Sequence, residues 1–140
     1  NEYTKFICKM AFENLESGII NNNDEQLVFG SMLSGLGFGN SSTTLGHALS
    51  YVFSNEGIAH GHALAYTTTA AHKFNNSQFY ERFLKIVKNL NFSNIKLKQN
   101  LEKASLIIFE DLKHLDNNPK SVTKNDIIEL LQVINSQNAL

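Results

Sequence analysis

The stretch Thr123-Lys124-Asn125-Asp126-Ile127-Ile128-Glu129-Leu130-Leu131-Gln132-Val133-Ile134 reads as one complete helix. Thr123 with Asp126 three residues later has the form of a capping box, in which each side chain satisfies the other residue's free backbone N–H. Ile127, Ile128, Leu130, Leu131 and Ile134 then recur every three or four positions, which turns one apolar face toward a core. The same period runs through Phe79, Phe83, Ile86, Val87 and Leu90, and again through Leu97, Leu101, Ala104, Ile108 and Leu112. Near the start Phe6, Ile7, Met10 and Leu15 repeat it, with Phe12 off the stripe. Clusters of turn formers mark the breaks: Asn21-Asn22-Asn23, Asn75-Asn76, Asn89 to Asn94, and Asn117-Asn118-Pro119. The single proline agrees with helix, since proline in a helix interior costs about 3 kcal/mol. No segment alternates at period two over a strand's length. The sequence therefore predicts an all-α chain of about seven helices.

The 140 residues amount to one domain, so 1–140 is expected to form a single helical unit. Apolar residues make up 42% and charged residues 18%, which excludes a disordered tail and a highly charged coiled coil. A formal net charge of −1 argues against a nucleic-acid binder that works through a basic surface. No apolar run approaches the ~20 residues needed to cross a bilayer, and no signal-peptide pattern opens the sequence. Cys8 stands alone, which fits a reducing compartment, so the expected location is the cytoplasm. Cys8 itself reads as a packing residue of an amphipathic helix. The first residue is Asn1 rather than Met, and the chain is expected to continue upstream.

The middle of the sequence behaves differently. Residues 31–71 hold six of the eight glycines together with His47, His60 and His62, and His72 follows at once. Glu56 is the one charged residue in that stretch. A surface helix normally carries a charged face, so a neutral stretch of this length is expected to be buried or to line a cavity. Gly35-Leu36-Gly37-Phe38-Gly39 does not make a dinucleotide-binding turn, because Asn40 stands where the third glycine belongs and the preceding segment reads as helix. Close helix packing and a glycine stop explain it better, with Asn40 or Ser41 capping the next helix. His47 and Tyr51, four apart, share a helix face, and His60 begins another helix after the break at Asn55 to Gly57. Two histidines at neighbouring helix ends can supply two corners of a transition-metal site, but a catalytic metal needs a third protein ligand. On spacing alone, hydrogen-bonded core histidines are the stronger reading. His114 stands apart in the sequence and is expected to be exposed. Ser/His/Asp and Cys/His nucleophile arrangements have no local support.

The run Ser34-Gly-Leu-Gly-Phe-Gly-Asn40-Ser-Ser-Thr-Thr-Leu-Gly-His47-Ala-Leu-Ser-Tyr51, followed by Gly57-Ile-Ala-His60-Gly-His62-Ala, resembles the iron-containing (group III) alcohol dehydrogenases. That family has a Gly-x-x-Phe-x-Asn element, a metal-binding histidine seven residues after the Asn, and a Pro-His-Gly element with the next ligand histidine. Here these fall on Asn40, His47 and His60. Asn118-Pro119-Lys120-Ser121-Val122-Thr123 with Asp126-Ile127 is similar to the family's closing Asn-Pro-Arg-x-x-Thr-x-x-Asp-Ile. Tyr51 replaces a histidine usual in the family, Ala59 replaces the proline, and the loop between the ligands is one residue short.

The resemblance implies the C-terminal helical domain of the dehydroquinate synthase-like, iron-dependent alcohol dehydrogenase fold. A nucleotide-binding domain and an Asp-x-x-x-His helix would precede Asn1. It implies His47 and His60 as ligands of Fe2+ or Zn2+, with Tyr51 lining the substrate pocket or relaying a proton. Asn40 would cap the helix that presents His47, and His62 would support the ligands or serve structure. The implied reaction is hydride transfer between an alcohol or aldehyde and NAD(P), the cofactor being held mainly by the preceding domain. A small-molecule substrate, no nucleic acid, no membrane and a homodimer are the partner expectations, and these 140 residues alone are expected to be inactive. Two rivals stand beside this reading. One is a helical binding or scaffold module whose histidines are core residues. The other is a lyase similar to dehydroquinate synthase, for which Thr43 and His62 occupy positions where that family has His and Glu.

Overall fold

The computed structural model describes residues 1–136, and its regular structure there is entirely helical. The eight helices among the described residues are α1 (Glu2–Asn21), α2 (Asp24–Ser41), α3 (Leu45–Ser54), α4 (His60–Phe74), α5 (Tyr80–Leu90), α6 (Leu101–Phe109), α7 (Leu112–Leu115) and α8 (Lys124–Asn135). The one beyond expectation, α7, is a single turn, too short to show a period. No helix among the described residues is long and apolar enough to cross a membrane. The chain falls into two compact units, Asn1–Ser42 and the residues from Thr43 onward.

In the first unit α1 and α2 pack against each other through small residues. The buried positions of α1 are Thr4, Ala11 and Gly18, and those of α2 are Gly30, Leu33 and Gly37. A methyl group on Gly30 would lie 2.8 Å from Leu15 Cγ, and one on Gly37 would lie 2.7 Å from Cys8 Sγ. Close approach of two backbones is therefore what these glycines provide. The turn follows the asparagine signal: Asn22 takes a left-handed φ of 51°, and the Asn23 side chain accepts from Gln26 N–H at 3.1 Å to start α2.

Three expectations are corrected in this unit. The glycine run is no stop, for α2 continues through Gly39 to Ser41 and is capped by Ser42, whose N–H donates to Phe38 C=O at 2.7 Å. Asn40 is consequently inside α2, where its Nδ2 donates to Leu36 C=O at 2.7 Å, and Thr44 is the residue that precedes α3. Asn40 does not cap the helix that carries His47. The neutral stretch is not buried throughout: Met32, Leu36 and Phe38 are exposed. Cys8 of α1, outside that stretch, is exposed as well.

The second unit holds the main core. Leu45, Leu49, Val52 and Phe53 of α3 are buried with Ala63 and Tyr66 of α4, Ala104 and Ile108 of α6, and Ile127, Leu131 and Ile134 of α8. The capping box at Thr123 and Asp126 is present with both reciprocal hydrogen bonds. The stripe expected from Leu97 becomes helical only at Leu101, because the Asn100 side chain accepts from Lys103 N–H at 3.2 Å and sets the helix start. Leu97 is nonetheless buried, together with Ile95, in the irregular segment ahead of it. That segment is tied down by side chains. The Glu56 carboxylate accepts from Lys98 N–H at 2.7 Å and Gln99 N–H at 3.0 Å, and Asn135 Oδ1 accepts from Leu97 N–H at 2.9 Å. Tyr66 hydroxyl donates to Phe92 C=O at 3.1 Å. Elsewhere Asn75 and Asn118 exchange two amide hydrogen bonds of 2.9 Å, which holds the Asn-Pro turn against the end of α4.

Helices α3 and α4 lie close because Gly46 faces Thr68. A methyl group on Gly46 would come 2.8 Å from Thr68 Oγ1 and 3.1 Å from its Cα. This crossing carries His47 and His60 into one neighbourhood.

Candidate metal centre

His47 lies on the first turn of α3, Tyr51 one turn further along, and His60 opens α4. The His47 and His60 rings stand edge to face at 62°, with centroids 5.6 Å apart. Tyr51 stacks on His60 at 5.9 Å and 12°. The circuit closes through a residue that the sequence reading set aside. His114 of α7 lies parallel to His47 at 6.3 Å and 6°, and meets Tyr51 edge to face at 5.6 Å and 63°. Four rings thus form a closed cycle in which stacked and edge contacts alternate, all within the range where aromatic pairs attract.

His114 corrects the expectation of an isolated, exposed residue. It is 8% exposed, and its Nδ1–H donates to both Asp111 carboxylate oxygens, at 2.8 and 2.7 Å. The Asp111-x-x-His114 spacing was a usable signal, since residues three apart on a helical turn meet. What hid it was distance in sequence from His47.

The chemistry of each imidazole follows from its surroundings. Burial, with His60 and His114 adding their charge when protonated, lowers the His47 pKa from its ordinary value of 6.5. His47 therefore keeps a neutral ring with a lone pair, the form that ligates metals. Next to His60 Nδ1 stand Ser50 Oγ at 3.5 Å and Ser54 Oγ at 3.4 Å. The buried Ser50 hydroxyl already donates to His47 C=O at 2.8 Å, so toward His60 it can only accept. In the tautomer that carries its proton on Nδ1, both serines accept from it and the Nε2 lone pair of the exposed His60 is free.

The centroid spacing matches that of two imidazoles sharing an ion. A metal bound ~2 Å from two imidazole nitrogens in tetrahedral array sets their centroids about 5 Å apart, close to the spacing of His47 and His60. Among the described residues no group of three or more His, Cys, Asp or Glu could hold a metal ion. A cavity of about 450 Å³ is lined by His47 together with Thr44, Gly46, Thr68, His72 and Phe79.

His62 is placed elsewhere. Its Nε2 bonds Ser93 C=O and its ring stacks on Phe92 at 4.8 Å, so its contacts anchor the segment after α5. Asn40 belongs to the other compact unit.

Helices α3 and α4 of this unit thus bring two imidazoles and a tyrosine into one ring cluster. The chain matches the family model described as "Fe-containing alcohol dehydrogenase family, C-terminal" over residues 3–114, and it belongs to that family. No curated protein and no solved structure matches it.

Proposed function

We propose that the chain is the metal-ligating helical part of an NAD(P)-linked alcohol dehydrogenase, with His47 and His60 as two ligands of Fe2+ or Zn2+. The observation that carries this reading is the 5.6 Å spacing of two imidazoles, one of them, His47, disfavoured from protonation by burial. When bound, such an ion acts as a Lewis acid on the alcohol or carbonyl oxygen. His47 resists protonation and so stays available as a ligand near neutral pH. Ser50 and Ser54 hold the His60 ring through Nδ1. Tyr51, 40% exposed and stacked on His60, is the group positioned to touch a small alcohol or aldehyde. The remaining ligands and the nucleotide site belong, on this reading, to a segment preceding Asn1.

Metal analysis tests the reading. Purified protein is expected to bind Zn2+, and His47→Ala and His60→Ala are each expected to abolish binding, since a ligand has been removed outright. Equal Zn2+ binding by wild type and by the His47→Ala/His60→Ala double variant would sink it. The same result would favour the scaffold reading, for which the lack of a three-donor group among the described residues speaks. The isolated chain is expected to show no NAD-dependent turnover, and measurable turnover would refute the division of labour.

A further inference from the structure

His60 has hydroxyl partners on its Nδ1, whereas His47 has no hydrogen bond to either ring nitrogen among the described residues. Metal-binding histidines are normally oriented by a hydrogen bond from the second nitrogen. Something else must fix the His47 ring. Two rings lie beside it, His60 at an edge-to-face angle and His114 parallel. Only His114 is itself anchored by a carboxylate, through the contacts of Nδ1 with Asp111 at 2.7 and 2.8 Å.

We propose that Asp111 and His114 form a positioning pair for the site: Asp111 locks the His114 ring, and that ring sets the orientation of His47 by stacking and of Tyr51 by its edge contact. The inference rests on the reading of His47 as a ligand. It assigns to α7, a single turn at the end of the family match, a role that exceeds packing. A ligand oriented through a stacked ring keeps both of its nitrogens unoccupied. The carboxylate–imidazole unit that elsewhere ligates directly is displaced here by one ring.

The test compares wild type with Asp111→Ala and Asp111→Asn, using ring resonances of ¹⁵N-labelled histidine and Zn2+ titration, with thermal unfolding as a check that each variant is folded. Asp111→Ala keeps all four rings, and because His114 also acts on His47 through its charge, the signals are read at an alkaline pH where every imidazole is neutral, so that the His47 signals then move with a turn of His114. The expected result is displaced His47 signals and Zn2+ affinity weakened about tenfold. Asp111→Asn retains an acceptor for Nδ1–H and is expected to restore both. Where Asp111→Ala does not fold, Asp111→Glu, which moves the acceptor by one methylene, is expected to displace the same signals. Folded variants whose His47 signals and Zn2+ affinity equal those of wild type would overturn the proposal and reduce the pair to a packing contact. Failure of the metal reading is distinguishable. In that case wild type binds Zn2+ no better than the His47→Ala/His60→Ala variant, and the His47 resonances still decide the positioning role.

Discussion

Replacing Gly46 with alanine sets two known effects against each other. Glycine in a helix is less stable than alanine by up to about 1 kcal/mol, so the change should help α3 in isolation. Against that, the new methyl would sit 2.8 Å from Thr68 Oγ1, 3.1 Å from its Cα and 3.4 Å from its Cβ. The second atom is backbone, and threonine is stiff at χ1, so neither neighbour can swing away. Relief requires α3 and α4 to part by a few tenths of an ångström, and overpacking of this kind costs about 1–3 kcal/mol. The first turn of a helix gains less from alanine than the interior does. The net expectation is a loss of about 1–2 kcal/mol, which lowers Tm by roughly 4–8 °C in a domain of this size. Circular dichroism at the helical band during heating measures it. Gly35→Ala supplies the contrast, because a methyl there meets nothing within 4 Å. That variant should be stabilised by about 0.5–1 kcal/mol. If Gly46→Ala matched or exceeded wild-type stability, the missing Cβ would not be what sets the approach of the two helices.

Other expectations follow from the same physics. Thr123→Ala removes the hydroxyl half of the capping box, leaving the backbone N–H of residue 123 on Asp126, and should cost about 1 kcal/mol in chemical denaturation; no change would mean that α8 starts without that hydroxyl. Asp126, whose pKa is lowered by the Thr123 hydroxyl and N–H, contributes stability that is present above its ordinary value of 3.8 and lost as pH falls below it. Burial lowers both His47 and His72 from 6.5, so below that pH the unfolded chain takes up protons that the folded chain refuses. Urea midpoints should therefore be level above about pH 7.5 and fall from pH 6.5 downward, with a shallower fall in His72→Gln. A midpoint that rises on acidification through this window would contradict the assigned direction.

What the sequence disclosed was local. The α8 cap and stripe, the Asn22-Asn23 turn and the start of α4 depend on residues within a few positions of one another, so pattern alone reached them. The pairing of His47 with His60 was open on spacing and became a candidate ligand pair through the family resemblance. The missed parts are tertiary. His114 joins the cluster across more than sixty residues of sequence, on a turn with no period of its own. Leu97 kept its burial and lost its helix because Asn100 offered the backbone a better start. Gly37 and Gly39 look alike in sequence, yet only Gly37 faces another side chain.

The irregular segment before α6 has a consequence for the unit's dynamics. It lacks helical hydrogen bonds, the usual mark of a stretch that opens readily. Yet the amides of Leu97, Lys98 and Gln99 are claimed by Asn135 and Glu56, which lie in α8 and just beyond α3. Releasing them means separating elements that share one core, so their hydrogen exchange should keep pace with the slowest helical amides. The lone charge of the neutral stretch, Glu56, thereby makes a coil segment part of the cooperative unit instead of its frayed edge.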